Sequence, residues 1–265
     1  MSKLWIARMS VAVIVGLTLV AVAPDLSAQF QPAGSLGALA PSNIAKSRPK
    51  APFDITGSWL HGGEGERFDP PAGFKLTPEA QKHYDAAQQA TKEGKLYRND
   101  IGLCWPAGVP IMMTRVWPIA MIQLPTAIYM ISGLMNSLRI VYTDGRPHTD
   151  PDVAVRSFNG ESIGRWEGDT LVIDTTNFVD DHHWIHDRLG IPASDALHIV
   201  ERIKMQNEGK RLEIEYTLTD PKMWQGDWKM VKHWNRVDDQ DIAEVECLPD
   251  LNEHMPTVHS KDNVR

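Results

Sequence analysis

The sequence of 265 residues holds two cysteines, Cys104 and Cys247. They lack the Cys-x-x-Cys spacing of a zinc knuckle or a thiol redox motif, so metal binding through sulfur finds no support. There is no basic excess: 27 Lys and Arg stand against 34 Asp and Glu, a net charge of -7. A phosphate backbone would meet no electrostatic footprint here, which argues against nucleic acid as a partner. Phosphate-cradling glycine patterns of the Walker or dinucleotide kind do not occur, so no cofactor is expected. Gly160-Glu161-Ser162-Ile163-Gly164 spells G-x-S-x-G, but it leads into a strand, whereas a nucleophile elbow needs a strand before it and a helix after. No internal repeat is visible, which disfavours a propeller or solenoid. With 42% hydrophobic and 23% charged residues, the chain is not of the disordered class.

Long apolar runs are also scarce. The longest, Val11 to Ala23, follows Lys3 and Arg8 and precedes Ser27-Ala28. This layout reads as a secretory signal over residues 1–28 with cleavage after Ala28, an uncleaved anchor being the alternative because Leu26 fits the small-x-small rule poorly. No stable membrane insertion is expected after cleavage, and the compartment is the periplasm or the exterior. Export makes a Cys104–Cys247 disulfide the expectation, with two buried free thiols as the alternative.

Residues 29–52, rich in Pro, Ala, Gly, Ser and Lys without a hydrophobic period, read as a flexible linker. The folded domain is expected over 53–250, with a tail at 251–265. Thr77 as a cap, Pro78 in the first turn and Gly94 at the exit mark one mostly polar surface helix. Pro106, Pro110, Pro118 and Pro125 then exclude a long helix. Strand-like segments follow at 127–132, 137–144, 162–166, 170–178, 197–205, 211–220 and 228–237, after a first at 53–60. Turn signals such as Asp144-Gly145 and Glu167-Gly168-Asp169 separate them. The fold class expected is mainly β, an antiparallel barrel or sandwich with long loops.

Strand period assigns faces. In 211–220, Leu212, Ile214, Tyr216 and Leu218 alternate with Glu213, Glu215, Thr217 and Thr219, and the expected partner is 197–205. There Glu201 falls among the apolar Leu197, Ile199, Ile203 and Met205. A carboxylate at such a position is paired with an inward Arg, raised in pKa, or open to a wet cavity.

Gly57-Ser58-Trp59 resembles the G-x-W opening of lipocalin-like barrels, in which the Trp packs across the closed end. YTDGRPH (142–148), GESIGRWEGDTLVIDTTNF (160–178) and the Cys104, Pro106, Gly108, Pro110 pattern, with a second cysteine near the C-terminus, are similar to a widespread set of exported bacterial proteins without an established activity. That set usually continues past its last cysteine into a Glu-Asn pair, where Leu248-Pro249 stands here. The resemblance implies a lipocalin-like barrel and transfers no chemistry.

Ten histidines carry the richest chemical signal. His182, His183 and His186 crowd into 180–188, read as a solvated loop over a barrel mouth or, less simply, a metal site lacking the H-E-x-x-H base. Should Glu201, Asp174, His148 and a loop histidine, His183, converge, they form an acid–base set in which a carboxylate takes a proton and an imidazolium gives one. Arg139, Tyr142, Arg165, Trp184 and Tyr216 are the candidate ligand contacts. Nine Trp and 11 Met line an apolar cavity or simply fill the core. Three functions follow as expectations: a barrel that binds a small apolar or aromatic molecule and transforms it by lyase, isomerase or hydrolase chemistry; a binder without catalysis; and a structural envelope protein with a filled barrel. A packed interior would remove both ligand readings.

Overall fold

The computed structural model describes residues 36–65 and 67–249; the expected signal segment and C-terminal tail lie outside the described residues. In chain order the elements are α1 (Pro41–Ile44), β1 (Gly57–His61), α2 (Pro78–Lys92), β2 (Ile119–Gln123), β3 (Ala127–Ser132), β4 (Ser137–Tyr142), β5 (Glu161–Glu167), β6 (Thr170–Thr176), β7 (Trp184–His186), β8 (Ile191–Pro192), β9 (His198–Gln206), β10 (Arg211–Thr219) and β11 (Trp228–Arg236). Nine strands close a barrel in the order β1-β11-β10-β9-β6-β5-β4-β3-β2, and β7 pairs with β8 apart from it. The mainly β, lipocalin-like expectation is met.

One joint departs from an all-antiparallel barrel. β4 and β5 run parallel, in register only at Val141 with Ser162 and Tyr142 with Ile163. A parallel pair cannot be joined by a tight turn, so the chain after Asp144-Gly145 travels back along the outside of the barrel through residues 143–160 before β5 begins. The bend at Asp144-Gly145 therefore does not lead straight into an antiparallel neighbour.

α2 forms where its caps are written. The Thr77 hydroxyl accepts from Ala80 N at 3.3 Å, and Gly94 leaves the helix at φ +69, a conformation that costs other residues dearly. The helix buries only Ala80, Ala87 and Ala90. It packs on β8 at Gly190, where a Cβ would meet Ala87 Cβ at 2.6 Å.

At one end of the barrel Trp59 is fully buried, its indole donating to Ile55 O at 2.8 Å. The Arg236 guanidinium lies 4.4 Å from the Trp59 ring centre. The opposite end is stoppered by the loop after β1. Phe68 enters edge-on to Tyr216 at 5.0 Å, and the loop is pinned by Lys232, which donates from Nζ to the carbonyls of Glu64, Gly65 and Arg67 at 3.2, 2.9 and 2.9 Å. Phe68, Met112, Met113, Ile185, Ile191, Trp224 and Trp228 join the strand side chains in one continuous core.

Residues 36–52, expected as tether, are laid against this barrel. Thr126 Oγ1 donates to Ala38 O at 2.7 Å and Asn43 Nδ2 to Asp144 Oδ2 at 2.8 Å. These are side-chain anchors that composition does not announce. Cys104 and Cys247 are disulfide-bonded, closing 143 residues. No helix among the described residues is long and apolar enough to cross a membrane.

Candidate functional site

The expected convergence of Glu201 with Asp174 and His148 does not occur, because β6 and β9 pair with Ile173 opposite Glu201 and Asp174 opposite Val200. Successive residues point to opposite faces. Glu201 therefore enters the barrel and Asp174 leaves it.

Inside, Glu201 meets Arg139, which reaches across from β4. Nη1 donates to Glu201 Oε1 at 3.1 Å and Nη2 to Oε2; the same guanidinium donates to Ser162 Oγ at 3.1 Å and Thr175 Oγ1 at 3.0 Å. The two residues are 1% and 0% exposed. This is the inward ion pair that the parity of β9 allowed. It ties β4 to β9 across the two intervening strands and leaves the carboxylate no access to solvent. Tyr216, opposite Glu201 in the β9–β10 ladder, has a buried hydroxyl without a hydrogen-bond partner; burial, then the Glu201 charge, push its ionisation well above the usual range. Tyr216, expected as a ligand contact, is packed in the core; Arg139, also expected as one, is 1% exposed and borders a cleft at the β4–β5 seam.

Outside, a second cluster assembles. His148 Nε2 lies 3.0 Å from Asp174 Oδ1, and His198 Nε2 shares that oxygen at 3.0 Å. His148 Nδ1 lies 3.2 Å from Glu161 Oε2. Glu161 further accepts from Thr149 N at 2.8 Å, Thr149 Oγ1 at 2.7 Å and Asn177 Nδ2 at 3.0 Å. Burial alone would lower the His148 pKa, but its bonds and charges from Asp174 and Glu161 outweigh that and raise it to about 9. Burial likewise opposes ionisation of Asp174 and Glu161, and their histidine contacts win, holding both carboxyls below the usual range. The cluster is thus an imidazolium between two carboxylates. His148 and Asp174 met as expected; Glu161 and His198 complete the set, and their only sequence trace was a place at a strand start and on a solvent face.

The histidines of 180–188 are buried, which corrects the solvated-loop reading. His182 stacks on Trp105 at 3.7 Å and takes Arg98 Nη2 at 2.9 Å. His183 lies 2.8 Å from Val109 O through Nε2, with Nδ1 unpartnered, and burial lowers its pKa to about 4. His186 bonds Asp69 at 3.3 Å. They face three different neighbours, and no metal-holding group of three or more His, Cys, Asp or Glu occurs among the described residues. Trp184 is buried too, its indole donating to Asp100 Oδ2 at 2.7 Å. His183, expected as catalytic, and Trp184, expected as a ligand contact, are therefore buried side chains, Trp184 packing with Ala107, Ile111 and Leu134.

Two clefts indent the barrel. One, of about 470 Å³, runs along the seam where β4 and β5 part, walled by Leu138, Ile140, Tyr142, Val155 and Phe158, with Asn159 and Glu161 on its lining. Over 137–140 the β4 edge is not paired with β5, and one of its carbonyls, Leu138 O, is taken by Asn159 Nδ2 at 2.9 Å. The Asn159 Oδ1 is buried without a hydrogen-bond partner among the described residues. Tyr142 lies here under Arg146, whose guanidinium is 4.0 Å from the ring centre. The other cleft, of about 1160 Å³, sits at the Trp59 end between residues 44–54 and the ends of β2, β4 and β5, and Arg165 is on its rim.

No protein-family model matches the chain, and none of the curated proteins compared with it matches.

Proposed function

We propose that this protein is an exported barrel that binds a small apolar or aromatic molecule in the seam cleft, outside a lumen filled by its own side chains. The observation that carries the reading is a cleft of about 470 Å³, walled by Leu138, Val155 and Phe158, with the polar Asn159, Glu161 and Asn177 on the same lining. That volume is within the range of small-molecule sites. The ligand then has an apolar body for those walls and a polar group for the polar side of the lining. Export is supported by the N-terminal pattern and by the disulfide, which persists in oxidising compartments.

A second reading, catalysis, is favoured by Glu161, which lines the cleft and bonds His148. With His148 charged at neutral pH, it serves as the acid and the Glu161 carboxylate as the base, in lyase, isomerase or hydrolase chemistry without a cofactor. As the acid His148 stays protonated up to about pH 9, so turnover would fall as pH rises through that value.

The test is a screen of the full chain after export against small aromatic alcohols and terpenoids, read by tryptophan fluorescence and product analysis. Val155→Arg and Leu138→Arg, both on exposed wall positions, are expected to abolish binding while the melting curve is unchanged. Binding that survives both would sink the seam assignment. Turnover unchanged in His148→Gln and Glu161→Gln would remove the catalytic reading and leave a binder.

A further inference from the structure

The larger cleft has a chemistry of its own. Its lining carries Lys46, Arg48 and Lys50, and also Arg165, which is paired with Glu167 at 2.8 Å, on a chain whose net charge is -7. Lys46 and Lys50 are exposed, and no ion pair among the described residues engages them or Arg48. The Arg48 guanidinium is held by neutral groups, Asn43 O at 2.7 Å and Asn43 Oδ1 at 2.6 Å, which fixes it without cancelling its charge. The two carboxylates of the lining are otherwise committed: Asp144 to Arg146 and Asn43, and Asp54 to the Thr56 amide at 2.8 Å.

Beneath this rim lies an aromatic floor. Phe53 meets Trp166 edge-on with ring centres 4.8 Å apart, and both are only partly buried. The floor is held in place, because Gln123 accepts from Ile55 N at 3.1 Å and donates to Phe53 O at 3.2 Å. Gly164 and Gly168 are on the lining of the same cleft.

We propose that this cleft binds a small aromatic carboxylate, with its ring on Trp166 and Phe53 and its carboxylate among Lys46, Arg48 and Lys50. Ring-on-ring contact and charge-assisted hydrogen bonds supply the two halves of the recognition. A neutral aromatic would leave three cations without a counter-charge, and an aliphatic anion would leave the floor uncovered. The site is separate from the seam cleft and does not depend on that assignment.

The test is calorimetric titration of the full chain after export, carrying Val155→Arg so that the seam cleft is closed to aromatic alcohols, with 2-naphthoate and with its neutral counterpart 2-naphthalenemethanol, at low and high salt. Naphthoate is expected to bind at one site, at least about tenfold more tightly than the alcohol and more weakly as salt rises, since exposed charges are screened. Lys46→Glu with Lys50→Glu should weaken naphthoate by about tenfold or more and leave the alcohol unchanged; both positions are exposed, so the melting curve reports intact folding. Trp166→Leu should weaken both ligands. Equal affinity for the two compounds, no naphthoate binding, or an unchanged affinity in the double lysine variant would overturn the proposal. Val155→Arg separates the two clefts: loss of naphthoate binding there would place the anion in the seam and equally overturn it.

Discussion

Asp174 and Glu201 lie on neighbouring strands and one residue out of step, Ile173 being opposite Glu201. That single step of register puts one carboxylate on the solvent side with two histidines and the other inside with an arginine. It separates a structural ion pair from an ionisable surface cluster, and each has its own measurable signature.

The interior pair should behave as a buried charge pair. Arg139→Met or Glu201→Leu alone leaves one charge buried without its partner and is expected to cost about 3–5 kcal/mol in urea unfolding. The double variant, which leaves no buried charge, should recover most of that loss. Single variants that unfold within about 1 kcal/mol of the parent would show that the pair is not desolvated as described.

The surface cluster should make stability fall on the alkaline side. The folded His148 pKa, about 9, stands above its ordinary 6.5, so its contribution is complete below pH 6.5 and is lost as pH rises through 9. Asp174 and Glu161 are shifted the other way, so theirs is present above their ordinary values of 3.8 and 4.5 and is lost in acid. Melting temperatures followed across this alkaline window should decline in the parent and flatten in His148→Gln. An NMR titration that finds the His148 ring half-protonated near pH 6.5 would contradict the double ion pairing.

His183 predicts an acid limb. Its folded pKa is lowered from 6.5 to about 4 by burial, so below pH 6.5 the unfolded chain takes a proton that the folded one refuses. Stability then drains as pH falls toward 4, by roughly 3 kcal/mol at most. His183→Gln, which retains a donor for Val109 O, should remove this slope. A parent as stable at pH 4.5 as at pH 7 would count against a neutral buried ring.

The disulfide closes 143 residues, and in the loop-closure model its removal restores about 5 kcal/mol of unfolded-chain entropy. Cys104→Ser with Cys247→Ser is expected to lower the denaturation midpoint by a corresponding amount with the barrel retained. A midpoint unmoved by reduction would mean that the unfolded chain is already compact.

The local elements were largely legible. Thr77, Pro78 and Gly94 bracket α2 because caps act on their own backbone; the two-residue period of 211–219 marked the buried face of β10 for the same local reason; and Glu201 stood out as a carboxylate among apolar neighbours. The seam cleft was not legible, since the parallel joint of β4 and β5 hides behind an Asp-Gly turn signal. Nor were Lys46, Arg48 and Lys50, whose segment has the composition of a tether and is held down by single side-chain bonds from Asn43 and Thr126.

Residues 180–188 show where local reading stops. Three histidines and three acids there look hydrophilic as a string, yet His182, His183 and His186 are buried because Trp105, Val109 and Asp69, remote in sequence, each supply a specific partner. The sequence by itself determined eight of the nine barrel strands, the inward faces of β9 and β10, the longer helix and the pairing candidates for two cysteines, all properties of period and local chemistry. Tertiary structure alone decided which strand lies beside which and at what register. On that register depends the solvent exposure of every charge, because a shift of one residue turns a side chain from the core to the water.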